Sequence, residues 1–279
     1  MALDLIPRLA NELGIRPQQA ESAVRLLDEG NTVPFIARYR KEATGSLDDG
    51  KLRALEEKLA SYRAVEARRE DVRRLIGEQG KLDAAVEAAL DAAGSVTEID
   101  DVYRPFRPKR RTRASIAAEA GLTPLAELLW AQEKQTDPAA EALRFVDAEK
   151  GIPDADAALR GAADILAERV SDDADIRKWI REYTFKNGSL VCRAKKKDED
   201  SVYRSYYDYT EPLRRVPPHR ILAIDRGERE EFLTVRVEVN ADYIHTYLQS
   251  RVCKGESRCR ACVAGAAADA YDRLIAPSV

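Results

Sequence analysis

The sequence is short of the residues that reaction centres and metal sites draw on. Its 279 residues include two histidines, His219 and His245, and four cysteines, Cys192, Cys253, Cys259 and Cys262. It has no glycine-rich phosphate loop, nucleophile elbow or metalloprotease motif. The adjacent acids Asp100 and Asp101 read as a helix end, and Glu228, Glu230 and Glu231 as a solvated turn. Groups that converge on a substrate are not in evidence, so the expectation is a protein that is not an enzyme and has no cofactor. Cys259 and Cys262 have metal-knuckle spacing, and with Cys253 and His245 they would suit zinc. No second Cys-x-x-Cys pair exists and both flanks look helical, so that set is the alternative to an expectation of no metal. Long apolar runs are missing too. Nothing approaches the roughly 20 residues of a membrane span. The opening "MALDLIPRLANELG" carries acids early and lacks the apolar core of a signal peptide. With no disulfide framework either, the expectation is a cytoplasmic protein without a membrane partner.

Charge of one sign is also missing overall. The chain has 46 Lys+Arg against 49 Asp+Glu, a net of −3, which argues against a protein that coats nucleic acid over its whole surface. A local patch remains open. The composition, rich in Ala, Leu, Glu and Arg, leans toward helix. Leu5, Leu9 and Leu13 line one helical face that Gly14 ends, and Pro17 suits the first turn of the next helix, which Gly30 stops. That pair is read as a helical hairpin, with a helix-turn-helix as the other possibility. In "NTVPFIARYRKEATGSLDD", Thr32 is positioned to cap a short helix. Phe35, Ile36 and Tyr39 supply bulky packing groups, and Arg38, Arg40 and Lys41 a small basic face. Ser46 and Asp49 have capping-box spacing for the helix that follows. Leu52, Leu55, Leu59, Tyr62 and Val65, then Val72, Leu75 and Ile76, predict one long bracing helix of about 30 residues.

Further helices are expected at 83–93, 99–103, 115–120, 124–132, 138–149 and 153–170, and one capped by Ser171 that carries Ile176, Trp179, Ile180 and Tyr183. After Asn187-Gly188 the texture becomes strand-like. "FLTVRVEV" alternates, with Leu233, Val235, Val237 and Val239 on one face. His219 follows two prolines in an expected loop. The fold class is mainly α, a multihelical scaffold with a small β element near residues 189–240. The expected organisation is a helical region at 1–187, a mixed segment at 188–240 and a helical tail at 241–279.

One stretch stands apart. "RPFRPKRRTR", Arg104 to Arg113, holds Arg104, Arg107, Lys109, Arg110, Arg111 and Arg113. Pro105 and Pro108 predict that it begins as an extended loop. Guanidinium forks match phosphate oxygens, and a stiff loop loses little entropy on binding. Tyr103 and Phe106 are interleaved to stack on bases. Against this, arginines also bridge acidic helices, and Glu98, Asp100, Asp101 and Glu119 are near in sequence.

"LLDEGNTVPFIARYRKE", "VYRPFRPKRRTRASIAAEAGL", "FVDAEKGIPDADAALRGAADILAER" and "YYDYTEPLRRVPPHRILAIDRGERE" resemble the N-terminal part of the Tex family of bacterial transcription accessory proteins. The resemblance runs to about residue 240. It implies a long modular protein that continues into an RNase H-like domain, helix-hairpin-helix elements and an OB-type RNA-binding domain, partners in cis for this region. It also implies a non-enzymatic role in transcription with RNA or DNA as partner. Docking on RNA polymerase, with little nucleic-acid binding of its own, is the alternative. The nucleic-acid-binding residues expected are Arg104, Arg107, Lys109, Arg110, Arg111 and Arg113, with Arg38, Arg40 and Lys41.

Overall fold

The computed structural model describes residues 5–108, 111–195 and 201–278. They form two compact units, the first running through Phe106 and the second starting at Arg107.

The first unit is helical. It contains α1 (Leu5–Leu13), α2 (Pro17–Asp28), α3 (Val33–Tyr39), α4 (Asp49–Glu78), α5 (Ala84–Ala92) and α6 (Val96–Tyr103). Pro17 opens α2, where its missing N–H has no helical partner to lose. The long helix α4 has 30 residues, about 45 Å at 1.5 Å per residue. It serves two cores in turn. Leu52, Leu55 and Leu59 close over Leu9, Ala20 and Ile36 from α1 to α3. Val65, Val72 and Ile76 close over Leu90, Ile99 and Tyr103 from α5 and α6. The brace expected from the spacing is therefore present. Its cap is not Ser46 but Asp48, whose carboxylate accepts the Lys51 N–H at 2.8 Å. Ser46 sits two residues too early, with φ +62°. Thr32 occupies the cap position of α3, yet its side chain makes no capping bond.

In the second unit, α7 (Arg113–Glu119), α8 (Thr123–Ala131), α9 (Pro138–Ala142), α10 (Ala155–Ser171) and α11 (Ala174–Asn187) precede the sheet. Strands β1 (Ser189–Ala194), β2 (Asp208–Pro212) and β3 (Leu233–Glu238) pair antiparallel in the order β2-β1-β3. Helix α12 (Pro218–Arg229) lies between β2 and β3 in sequence. Helices α13 (Ala241–Val252) and α14 (Arg260–Asp269) follow, and a π-helical turn continues to Ile275. The core gathers around α10, where Ala158, Ala162, Leu166 and Val170 are buried. Gly161 lets α7 approach α10. A Cβ there would lie 2.3 Å from Leu122 Cδ1 and 3.3 Å from Ala117 Cβ.

Four local expectations are corrected in this unit. The helix from Pro138 ends at Ala142 and continues only as a 3₁₀ turn, Leu143–Phe145, before the chain turns at Asp147, whose carboxylate accepts the Glu149 and Lys150 N–H groups. Ser171 ends α10 rather than capping α11, a task done by Asp173. His219 lies in the first turn of α12, opened by Pro218, instead of a loop. Along β3, Leu233 is buried but Val237 is half exposed. The close approach there is at Gly227, where a Cβ would come within 2.7 Å of Leu233 Cδ1. Among the described residues, no helix is long and apolar enough to cross a membrane.

Candidate nucleic-acid interface

The basic stretch does not begin as a loop. Residues Arg104–Phe106 form a 3₁₀ turn that continues α6. The rings expected to stack on bases are structural instead. Tyr103 is buried in the second core of the first unit, with the Arg68 guanidinium 5.7 Å from its ring centre. Phe106 packs partly buried on the same core, and its carbonyl accepts the Gln79 side-chain N–H at 3.0 Å. Arg104 is half-buried in this unit. Arg107, Arg111 and Arg113 are exposed and belong to the second. Lys109 and Arg110 lie outside the described residues. Arg113 is the first residue of α7, held by a reciprocal cap. Thr112 Oγ1 accepts the Ser115 N–H at 3.0 Å, and Ser115 Oγ accepts the Thr112 N–H at 2.9 Å. Burial pushes the Asp164 carboxyl up, while the charges of Arg273 and Arg113 pull it back in part.

The arginines of α4 show what pairing looks like in this protein. Arg63 grips Asp28 through two bonds of 2.7 and 2.8 Å. Arg68 binds Asp100 at 2.7 and 2.9 Å and Asp71 at 2.8 Å. Arg73 joins Glu87 and Asp91 of α5, both at 2.9 Å. Asp100, which stands in sequence as a partner for the basic stretch, thus receives Arg68 from 32 residues away.

Arg38, Arg40 and Lys41 behave differently. All three are exposed, and they form no ion pair among the described residues. Their turn is firmly built. The Arg40 N–H donates to the Ile36 carbonyl at 3.0 Å, closing α3. Thr44 is fully buried, and its hydroxyl reaches the Arg40 carbonyl at 3.3 Å. Gln19 of α2 donates to the carbonyls of Thr44 and Gly45 at 3.2 and 2.9 Å. Beside these cations lie two rings that the sequence pattern assigns to packing. Phe35 is 38 % exposed and Tyr39 70 %. Their centres are 5.3 Å apart at 44°, and Arg40 stands 5.7 Å from the Phe35 ring centre. The missed signal is periodicity. The buried pair of α3 is Val33 and Ile36, and Phe35 and Tyr39 form an i, i+4 pair on another face.

The zinc alternative is not assembled. Among the described residues no three His, Cys, Asp or Glu side chains are placed to hold a metal. His245 Nε2 meets Asp272 at 3.0 Å. Cys253 and Cys259 approach the carbonyls of Arg260 and Thr136, at 3.9 and 3.8 Å. Burial pushes the thiols of Cys253, Cys259 and Cys262 up, away from the thiolate a metal needs.

Two family descriptions match the chain: a Tex-like protein N-terminal domain over residues 3–77 and a Tex central region-like segment over residues 133–273. The chain belongs to the Tex family. The Tex N-terminal match contains the α3 turn, and the basic stretch falls between the two matches. The Tex central match runs on to residue 273, past the limit near 240 expected from sequence, and takes in the cysteine-bearing tail. The chain is 50 % identical over 236 residues to Protein YhgF of Escherichia coli (strain K12), covering 84 % of this chain and 30 % of that protein. It is 42 % identical over 236 residues to Transcriptional accessory protein Tex of Neisseria gonorrhoeae, covering 84 % and 31 %. It is 28 % identical over 250 residues to S1 RNA-binding domain-containing protein 1 of Homo sapiens, covering 86 % and 25 %. The chain thus spans less than a third of each of these relatives.

Proposed function

We propose that this chain is a non-enzymatic scaffold module of a transcription accessory protein, and that it contributes to RNA or DNA binding through a basic surface. The observation that carries the reading is the contrast within the first unit. The arginines of α4 named above are matched to acids, whereas Arg38, Arg40 and Lys41 stand on a well-braced turn with no acid matched to them among the described residues. Unpaired, pre-positioned cations suit phosphates. The concentration of Arg104, Arg107, Lys109, Arg110, Arg111 and Arg113 in one stretch of sequence adds a second group of cations for phosphates, and this does not depend on their being unpaired. The remaining Tex domains are the partners in cis, since the relatives are more than three times as long as the matched segment. Their names, transcriptional accessory and S1 RNA-binding, agree with this assignment.

The test is a titration of the chain on single-stranded RNA over a range of salt. Neutralising Arg38, Arg40 and Lys41 to Ala should weaken binding by a similar factor on every sequence, because phosphates carry no base identity. The log-affinity against log-salt slope should flatten by roughly 0.7 for each phosphate that no longer meets a cation. An unchanged slope and affinity would remove this surface from the interface. A second reading, a protein-interaction module that docks RNA polymerase, is favoured by the neighbouring exposed residues Ile221 and Leu222 on α12. Capture of polymerase from nuclease-treated extract, abolished in Leu222→Asp, would support it.

A further inference from the structure

We infer that Tyr39, seated against Phe35, is a stacking platform for an unpaired nucleobase, so that the α3 turn takes a single strand by ring and phosphate together. This rests on the basic-surface reading above and adds to it the part that touches the base. Helix α3 has only seven residues and turns Val33 and Ile36 into the core. Its remaining large side chains are left in water. Exposing two aromatic rings forgoes burial worth about 25 cal/mol per Å². The other rings of this unit are covered: Tyr103 is buried, and Tyr62 and Phe106 are half-buried against the cores. The two exposed rings also sit where the cations are unpaired, with Arg38 between them in sequence and Arg40 and Lys41 directly after.

The geometry selects the ligand. A protein-docking surface has an apolar centre depleted of charge. Among the described residues of the first unit, the large apolar residues exposed are Phe35, Tyr39 and the distant-in-sequence Val96, so α3 exposes no large aliphatic side chain beside the rings. From Val33 to Leu47 the charges are Arg38, Arg40, Lys41 and a single acid, Glu42. Rings amid excess positive charge are the composition of a single-strand site, where bases stack and the backbone runs over cations. The 44° tilt between Phe35 and Tyr39 leaves no parallel slot between them. A base therefore stacks on the open side of Tyr39, while Phe35 supports the ring from behind and the Arg40 guanidinium stands 5.7 Å from the Phe35 ring centre. Paired bases in a duplex offer no free face, so duplex binds through phosphates alone.

The experiment compares two dye-labelled probes of equal length, oligothymidylate and an abasic sugar-phosphate oligomer, by fluorescence anisotropy with the whole chain. Tyr39→Ala should weaken oligothymidylate by roughly tenfold or more, the usual cost of losing one base–aromatic stack, and leave the abasic probe nearly unchanged. Its salt slope should match that of the unaltered chain, and Tyr39→Phe should keep most of the affinity. Equal losses on both probes, or none on either, would overturn the platform while the basic surface survives. Failure of the unaltered chain to bind either probe would overturn both. Tyr39 is largely exposed, so the variants should fold, and unchanged circular dichroism checks that they do.

Discussion

Gly45 shows how closely one residue can bind local backbone to the candidate interface. It turns at φ +59°, and a Cβ there would stand 3.0 Å from the side-chain nitrogens of Arg16 and Gln19. Gln19 is also the group that ties the turn to α2. Gly45→Ala should therefore cost about 1–2 kcal/mol in a denaturant titration, chiefly from the left-handed backbone. It should also loosen the cations and weaken RNA binding. Glu12 makes a second residue-level case. Lys58 donates to it at 2.6 Å and Tyr62 also donates to it, and these bonds hold its carboxyl at about 2, below the ordinary 4.5. A carboxyl lowered in the folded state stabilises above its unfolded value and loses that contribution as the pH falls. The melting-temperature advantage of the unaltered chain over Glu12→Gln should thus be full near pH 6 and shrink between about 4.5 and about 2. Cys259 is buried and its thiol pushed up, so elemental analysis should find no stoichiometric zinc, and a chelator should leave the melting temperature in place.

Among the elements, α4 matters most to the first unit because both of its cores lean on one helix. Leu55 and Leu59 are buried beneath α1 to α3, so Leu55→Ala or Leu59→Ala should each cost about 2–5 kcal/mol. Midpoints equal to that of the unaltered chain for both would mean that the helix projects freely. In the second unit the corresponding packing is α7 on α10. Gly161→Ala would drive a methyl into Leu122, itself buried, and overpacking of this kind costs about 1–3 kcal/mol. Since Arg113 heads α7, the same change should shift its position, visible as a change in its side-chain NMR resonances.

At the level of the whole molecule, the boundary between the units falls inside the basic stretch, after Phe106. Each unit buries its own apolar residues: Leu9, Leu52 and Ile99 among those of the first, Leu129, Leu166 and Ile180 among those of the second. Residues 1–106 and 107–279 expressed apart should therefore each show helical circular dichroism and a cooperative melt. If only one does, the other depends on its neighbour for stability.

Helix periodicity and end signals act over about four residues, and they are enough to place α1, α2, α4, α5 and α10, along with β1 and β3. Where several residues of one chemistry crowd a helix start, the cap shifts, from Ser46 to Asp48 and from Ser171 to Asp173. Sequence alone also determined the mainly helical class and the presence of concentrated cations. It did not determine which cations stay unmatched or which rings stay in water. Tyr103 and Phe106 read as free and belong to a core, while Phe35 and Tyr39 read as core and remain outside. Asp100 is within reach of the basic stretch along the chain, and Arg68, 32 residues away, also reaches it through space. Neutralisation and burial depend on neighbours tens of residues away, which only the packing of whole helices brings together.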